Sequence, residues 1–121
     1  MEYTSRVHKR CEKHPGVEYT IARLSLGRRI ELGQMVREIG FKSEFLSASK
    51  NVVEQIEAGL LQRKIDRVYL EWGLLGIKGL TIDGAEATPA TLIETGPEDL
   101  LNEILASIRA ELQFSEEDRK N

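Results

Sequence analysis

The period of apolar and polar residues changes along this chain, and each period predicts a different element. Near the N-terminus, apolar and polar positions alternate over residues 3–11 and again over residues 17–22. A period of two is typical of a strand with one buried face. Residues 14–17 (HPGV) suit a type II turn, because proline sets φ at the second position and glycine accepts positive φ at the third. We therefore predict a β-hairpin over residues 3–22, which must pack on other elements to be stable.

A helical period follows the hairpin. Ser25 is a typical N-cap residue and Gly40 a typical stop, so the pattern predicts a helix over residues 25–39. Its apolar residues recur at i, i+3, i+4 and i+7 and form one face. These residues are Leu32, Met35, Val36 and Ile39.

A longer apolar stripe predicts the central helix of the domain, over residues 48–72. At 1.5 Å per residue this helix would be about 38 Å long. The stripe comprises Val53, Ile56, Leu60, Leu61, Ile65, Val68, Trp72 and Leu75. Four glycines follow at positions 73, 76, 79 and 84, and they predict a helix C-cap and a compact turn.

The C-terminal third predicts two more helices. Residues 80–84 (LTIDG) indicate a tight turn or a minimal hairpin. Thr88 and Pro89 then cap a short helix through Ile93, and a final helix covers residues 97–113. Residues 115–118 (SEED) resemble a capping box for one last turn.

Taken together, these elements predict one domain over residues 1–121, mainly α within the α+β class. It consists of a small N-terminal β-hairpin (3–22), a helical body (25–113) with a compact bundle of about four helices, and a C-terminal tail (114–121).

Composition and charge narrow the class of protein. With 40% hydrophobic and 31% charged residues, the chain has the composition of a folded globular domain. No apolar run approaches the roughly 20 residues that span a bilayer, and the N-terminus lacks the apolar region of a signal peptide. We therefore expect no membrane association. The single cysteine, Cys11, fits a reducing cytoplasm.

The net charge of −3 is unevenly distributed. Residues 1–50 carry ten Lys/Arg against six Asp/Glu (+4), and residues 51–121 carry seven against fourteen (−7). One interpretation is nucleic-acid binding through the basic half, by Arg28, Arg29, Arg37 and Lys42. The other, which the absence of a dense basic block favours, is a bipolar surface that supports subunit contacts or solubility.

The candidate catalytic and metal-binding residues are few. His8, Cys11 and His14 have the residue types of a zinc site. A spacing of three on a strand, however, sends successive side chains to opposite faces. The chain also lacks a G-x-S-x-G nucleophile motif. The glycines after residue 72 do not form a P-loop, because a P-loop precedes a helix and these glycines follow one. We therefore expect a protein that is not an enzyme and that binds no metal or cofactor.

The remaining candidates are contact residues. Trp72 is either a core anchor or an interface anchor. The helices over residues 48–72 and 97–113 are rich in leucine. These leucines either line a groove between the two helices or pack against each other and leave no groove, and both alternatives stay open. The binding candidates are Trp72, Leu75, Leu101, Leu105, Arg28 and Arg29.

Several segments resemble small phage proteins of the tail assembly chaperone family. They are TIARLSLGRRIEL, IDRVYLEWGLLGIKGLTIDG, the AT…LIETGPEDLLNEI stretch and the ending SEEDRKN, which together cover about half of the chain. The resemblance implies a mostly helical protein of the host cell cytoplasm that is absent from the finished virion. It also implies binding to the tape-measure protein, recruitment of tail-tube subunits, and often a longer form made by ribosomal frameshifting. No residue-level site is carried over from the family.

Two alternatives to this role are retained. The first is a structural virion component, such as a tail-completion or head–tail connector subunit. The second is a small nucleic-acid-binding regulator. We also expect self-association, through the hairpin edge and Trp72.

Overall fold

The computed structural model describes the backbone of residues 1–120 and the side chains of residues 1–112. The strands are β1 (Arg6–Arg10), β2 (Glu18–Ala22), β3 (Leu74–Lys78), β4 (Thr81–Ile82) and β5 (Ala85–Glu86). The helices are α1 (Leu26–Ser47), α2 (Val52–Gly73), α3 (Pro89–Thr95) and α4 (Glu98–Lys120). The predicted α+β class, with an N-terminal hairpin and four helices, is confirmed.

The N-terminal hairpin has the expected turn. β1 and β2 pair antiparallel, with His8 opposite Thr20. Gly16 has a φ of 92°, and the Val17 N–H donates to the His14 carbonyl at 3.1 Å, as a type II turn requires. The buried side chains of Tyr19 and Ile21 face the helices.

A third strand lies where we predicted only a turn. β3 begins directly after α2 and pairs antiparallel with β2, so the sheet order is β1–β2–β3. Gly79 ends this strand with a φ of 84°, and a Cβ there would lie 2.1 Å from the Gly16 carbonyl oxygen. The turn prediction was wrong because the hydrogen-bonding partner of β3 is some 55 residues away in sequence.

Helix α1 begins as predicted but ends later. The Ser25 hydroxyl accepts a hydrogen bond from the Arg28 N–H at 3.3 Å. The predicted stop at Gly40 is wrong, since this glycine does not adopt positive φ and the helix continues to Ser47. Ser43 and Leu46 are buried in this extension, so packing continues past the glycine.

Helix α2 begins at Val52, after an Asn51 cap, rather than at residue 48. Its predicted stripe does not form one buried face. Leu61 and Ile65 are buried, whereas Ile56 and Leu60 are 62% and 59% exposed. Leu60 and Leu61 point in directions about 100° apart. Leu61 packs in the cluster between α1 and α2, and Leu60 is not part of that cluster. On α1, Met35 likewise lies outside the buried face and is 41% exposed.

The C-terminal third contains a short hairpin and two helices. β4 and β5 form the minimal hairpin, and Thr88 and Thr91 form a capping box at the start of α3. The backbone of α4 is helical from Glu98 to Lys120 without a break. Residues 115–118 therefore do not begin a separate turn, and the helix extends into the segment that we predicted as a tail.

The main core lies between the sheet, α2, α3 and α4. Its fully buried side chains are Ile21, Leu92, Leu100, Ile104 and Ile108. Gly73 allows α4 to approach α2, because a Cβ there would lie 2.8 Å from Ile108 Cδ1. A second, smaller cluster joins α1 to α2 and contains Leu46, Ala58 and Leu61.

Candidate protein-binding groove

A groove of about 750 Å³ opens between α2 and the α3–α4 segment, beside the end of α1. Its apolar floor is formed by Leu60, Leu61, Leu70, Ile93, Leu101 and Leu105. Leu61, Leu70 and Leu105 are buried and hold the helices together, while Leu60 remains largely exposed. The floor is therefore packed at its base and open at its edge, and exposed apolar surface of this kind is typical of binding sites.

The short α3 sets the position of the groove. Its C-cap, Gly96, turns the chain so closely over Leu92 that a Cβ would lie 2.4 Å from Leu92 Cδ1. Pro97 follows, and α4 begins at Glu98 beside the middle of α2. The first turns of α2 consequently extend beyond the part that α4 covers.

Ion pairs stabilise one side of the groove. Asp66 accepts a hydrogen bond from Arg109 of α4 at 2.6 Å, which ties α2 to α4. Arg67 pairs with Glu71 at 2.8 Å and with Glu94 of α3, and hydrogen bonds to these carboxylates raise the pKa of Arg67. These charges are already neutralised within the chain.

The other rim charges are available to a partner. Four of them make no hydrogen bond or ion pair with any residue whose side chain is described: Lys42, Glu57, Lys64 and Glu98. Two are cationic and two anionic, so a partner with charges of both signs would be oriented by them.

An exposed apolar stripe on α2 continues the groove toward the α1–α2 loop. It consists of Val53, Ile56 and Leu60, spaced i, i+3 and i+7, with Val53 71% exposed. From Val53 to Leu70 the apolar surface extends about 25 Å at the helical rise. This length matches four to five turns of a bound helix.

Only two of the six predicted binding residues lie in the groove. Leu101 and Leu105 are part of its floor. Trp72 is half-buried against the main core, and Leu75 is half-buried on β3. The rest of the floor was not predicted as a binding site, although two of its residues belonged to the recognised stripe of α2. It consists of Leu60, Leu61, Leu70 and Ile93.

The two predicted arginines lie elsewhere, in the first turn of α1. Arg28 donates hydrogen bonds to the carbonyls of Ser5 and Arg23, at 2.9 and 3.0 Å, and so attaches α1 to the hairpin. Arg29 is half-buried next to it. Arg28, Arg37 and Lys42 point in different directions around the helix.

A polar cluster attaches the hairpin loop to α4. The Glu103 carboxylate accepts hydrogen bonds from the N–H groups of Glu12 and Lys13, each at 3.2 Å. Burial opposes ionisation of this carboxyl, but hydrogen bonds from Cys11 and from the two N–H groups lower the pKa of Glu103 overall. Burial also raises the pKa of the Cys11 thiol, which keeps it protonated and unreactive.

The two histidines of the possible zinc motif have separate partners. His8 Nδ1 lies 2.8 Å from the Thr20 hydroxyl on the outer face of the sheet. His14 Nε2 lies 2.9 Å from Asp99 on α4, and this hydrogen bond lowers the pKa of Asp99. Within the described residues, no three His, Cys, Asp or Glu side chains are grouped as metal ligands.

Comparisons with models of known protein families, with curated proteins and with solved structures gave no match to this chain. None of the helices in the described part of the chain has the length and apolar character needed to cross a bilayer.

Proposed function

We propose that the groove binds an amphipathic helix of the tape-measure protein, and that the chain acts as a phage tail assembly chaperone in the host cell cytoplasm. In this role it also helps to recruit tail-tube subunits. The observation that carries the proposal is an open groove with an apolar floor and rim charges of both signs, four of which have no partner among the side chains that the structure describes. The resemblance of several segments to the chaperone family supplies the identity of the partner.

The shape of the groove supports a helix as the bound element. An amphipathic helix places apolar residues at i, i+3, i+4 and i+7, and such a row fits between α2 and α4. The exposed Val53, Ile56 and Leu60 extend the contact beyond the groove. Covering these residues removes apolar surface from water in both proteins, which drives the association.

The variant Leu60→Asp tests this role directly. Leu60 is 59% exposed, so the substitution leaves the fold intact while placing a charge on the groove floor. We expect binding to overlapping fragments of the tape-measure protein of the same phage to weaken at least about tenfold, as for a hot-spot residue. Met35→Asp is the control, because Met35 is apolar and 41% exposed but lies on α1, away from the groove. Isothermal titration calorimetry measures both.

Co-expression supplies the functional readout. The wild-type chain should raise the soluble yield of the tape-measure protein, and Leu60→Asp should not. If no fragment binds, or if Leu60→Asp binds as well as wild type, the proposed role of the groove is wrong.

Mass spectrometry of purified phage particles distinguishes the chaperone from the structural alternative. A tail-completion or connector subunit remains in the particle in fixed stoichiometry, whereas a chaperone is absent.

A further inference from the structure

The outer face of α1 presents four large apolar side chains to solvent. Leu26, Ile30, Phe41 and Phe45 are 70%, 54%, 62% and 78% exposed, and we call them the α1 stripe. At 3.6 residues per turn they fall on one side of the helix. The opposite side carries Leu32, Ser43 and Leu46, which are buried.

Helix α1 therefore has two apolar faces, and within the described residues only one of them is covered. Its extensive packing in this part of the chain is with α2. A helix with apolar residues on opposite faces normally has a neighbour on each. Two phenylalanines exposed in one row are also unusual on the surface of a monomeric protein.

The spacing within the α1 stripe indicates which kind of neighbour covers it. Leu26 and Phe45 are equally far from the midpoint of the stripe, which lies between Met35 and Val36, and so are Ile30 and Phe41. When two copies of α1 lie antiparallel about this midpoint, Leu26 meets the partner's Phe45 and Ile30 meets the partner's Phe41. A surface that complements itself in this way is the requirement for a twofold symmetric contact.

The residues at the centre of the stripe are compatible with the same arrangement. A Cβ atom added at Gly33 would have no other atom within 4 Å, so a second helix can approach the backbone there. Arg37 comes opposite the partner's Gln34, next to that glycine. On the flank, Glu31 comes within one turn of the partner's Lys42. A parallel pair would instead place Arg37 against Arg37, which is repulsive.

We propose that the α1 stripe binds the α1 stripe of a second copy of this chain, antiparallel and in the register that pairs Ile30 with the partner's Phe41. This proposal does not depend on the chaperone role. The floor of the groove is formed by α2, α3 and α4, so it stays open in such a dimer.

The size of the stripe sets the expected affinity. α1 has 22 residues and is about 33 Å long at the helical rise. One pair of helices of this length gives an interface at the small end of the known range, so we expect a micromolar dissociation constant. The dimer should therefore form and dissociate with concentration.

Sedimentation equilibrium of the full chain at micromolar to submillimolar concentrations tests the interface. We expect a monomer–dimer equilibrium for wild type, and for Phe41→Asp and Phe45→Asp a dissociation constant at least about tenfold higher. Leu60→Asp is the control that should dimerise like wild type. Thermal melting shows whether each variant is folded. A monomeric wild type, or unchanged dimerisation of folded Phe41→Asp and Phe45→Asp, overturns the proposal.

Disulfide cross-linking tests the register. Ile30→Cys combined with Phe41→Cys should form covalent dimers rapidly, because these positions face each other between copies. Within one copy they are about 16 Å apart along the helix, too far for a disulfide. The matched control is Leu26→Cys with Phe41→Cys, displaced by about one turn, which should react more slowly. Equal rates, or rapid cross-linking of Phe41→Cys alone, contradict the antiparallel register.

Discussion

Replacing Gly73 by alanine tests the close packing of α4 on the end of α2 in the main core. The added methyl group would lie 2.8 Å from Ile108 Cδ1 and 3.1 Å from both Cγ1 and Cγ2. Ile108 is fully buried, so it has no free space into which to move. Overpacking of this kind costs about 1–3 kcal/mol. Because alanine also restricts the unfolded chain, which offsets about 0.4–1 kcal/mol, we expect a net loss of about 1 kcal/mol.

A second substitution shows whether the Ile108 contact is the cause. Ile108→Val removes Cδ1, the atom nearest to the new methyl group, and by itself should cost about 1 kcal/mol. In Gly73→Ala/Ile108→Val the methyl group occupies part of the space that Cδ1 leaves. The double variant should therefore lose about 1 kcal/mol rather than about 2, a coupling free energy of about 1 kcal/mol.

Urea and thermal unfolding measure these differences. For a domain of this size, 1 kcal/mol corresponds to a change in Tm of about 4 °C. Gly59→Ala is the control on the same helix, because its Cβ would have nothing within 4 Å, and we expect it to stabilise the protein by up to about 1 kcal/mol. Additive losses within about 0.5 kcal/mol would refute the close contact between Gly73 and Ile108.

Three further substitutions test separate parts of the fold. The pKa of Glu103 lies below its ordinary value of 4.5 in the folded state, so its stabilising effect is present above that pH and is lost as the pH falls through the folded-state pKa. Urea unfolding of Glu103→Gln should accordingly show a weaker decrease in stability below about pH 4.5 than wild type. Asp66→Ala leaves Arg109 without its 2.6 Å partner and should lower the free energy of unfolding by about 1 kcal/mol, measured in urea. Gly79→Ala combines positive φ with a clash against a backbone carbonyl, and we expect a loss of more than about 3 kcal/mol and little soluble protein; wild-type stability of this variant would show that the turn rearranges easily.

Features that depend on neighbouring residues were predictable from the sequence. The turn at Gly16, the Ser25 cap and the start of α3 at Pro89 each follow from the conformation or hydrogen bonding of two to four consecutive residues. The energies involved act locally, so the residue types alone indicate them. The fold class followed from these signals together with the two periods of the apolar pattern.

The sequence also indicated part of the groove. Leu101 and Leu105 were predicted as binding residues because two leucine-rich helices could enclose a groove between them. Both residues are part of the groove floor. Trp72 was open to two interpretations, and the structure packs it against the main core. Leu60 was assigned to a single continuous stripe, and its exposure became visible only when the position of α4 was known.

Which apolar face is covered was decided only by the tertiary structure. Apolar spacing shows that a helix has a face to bury, but a face is buried only where another element is long enough to reach it. α4 begins beside the middle of α2, so the first turns of α2 remain open, and among the described residues α1 has a neighbour on one side only. The third strand has the same origin, since β3 obtains its hydrogen bonds from β2, which is distant in sequence. Local residue types determined most of the elements of this protein, whereas contacts between distant segments determined β3 and which surfaces of the helices stay exposed.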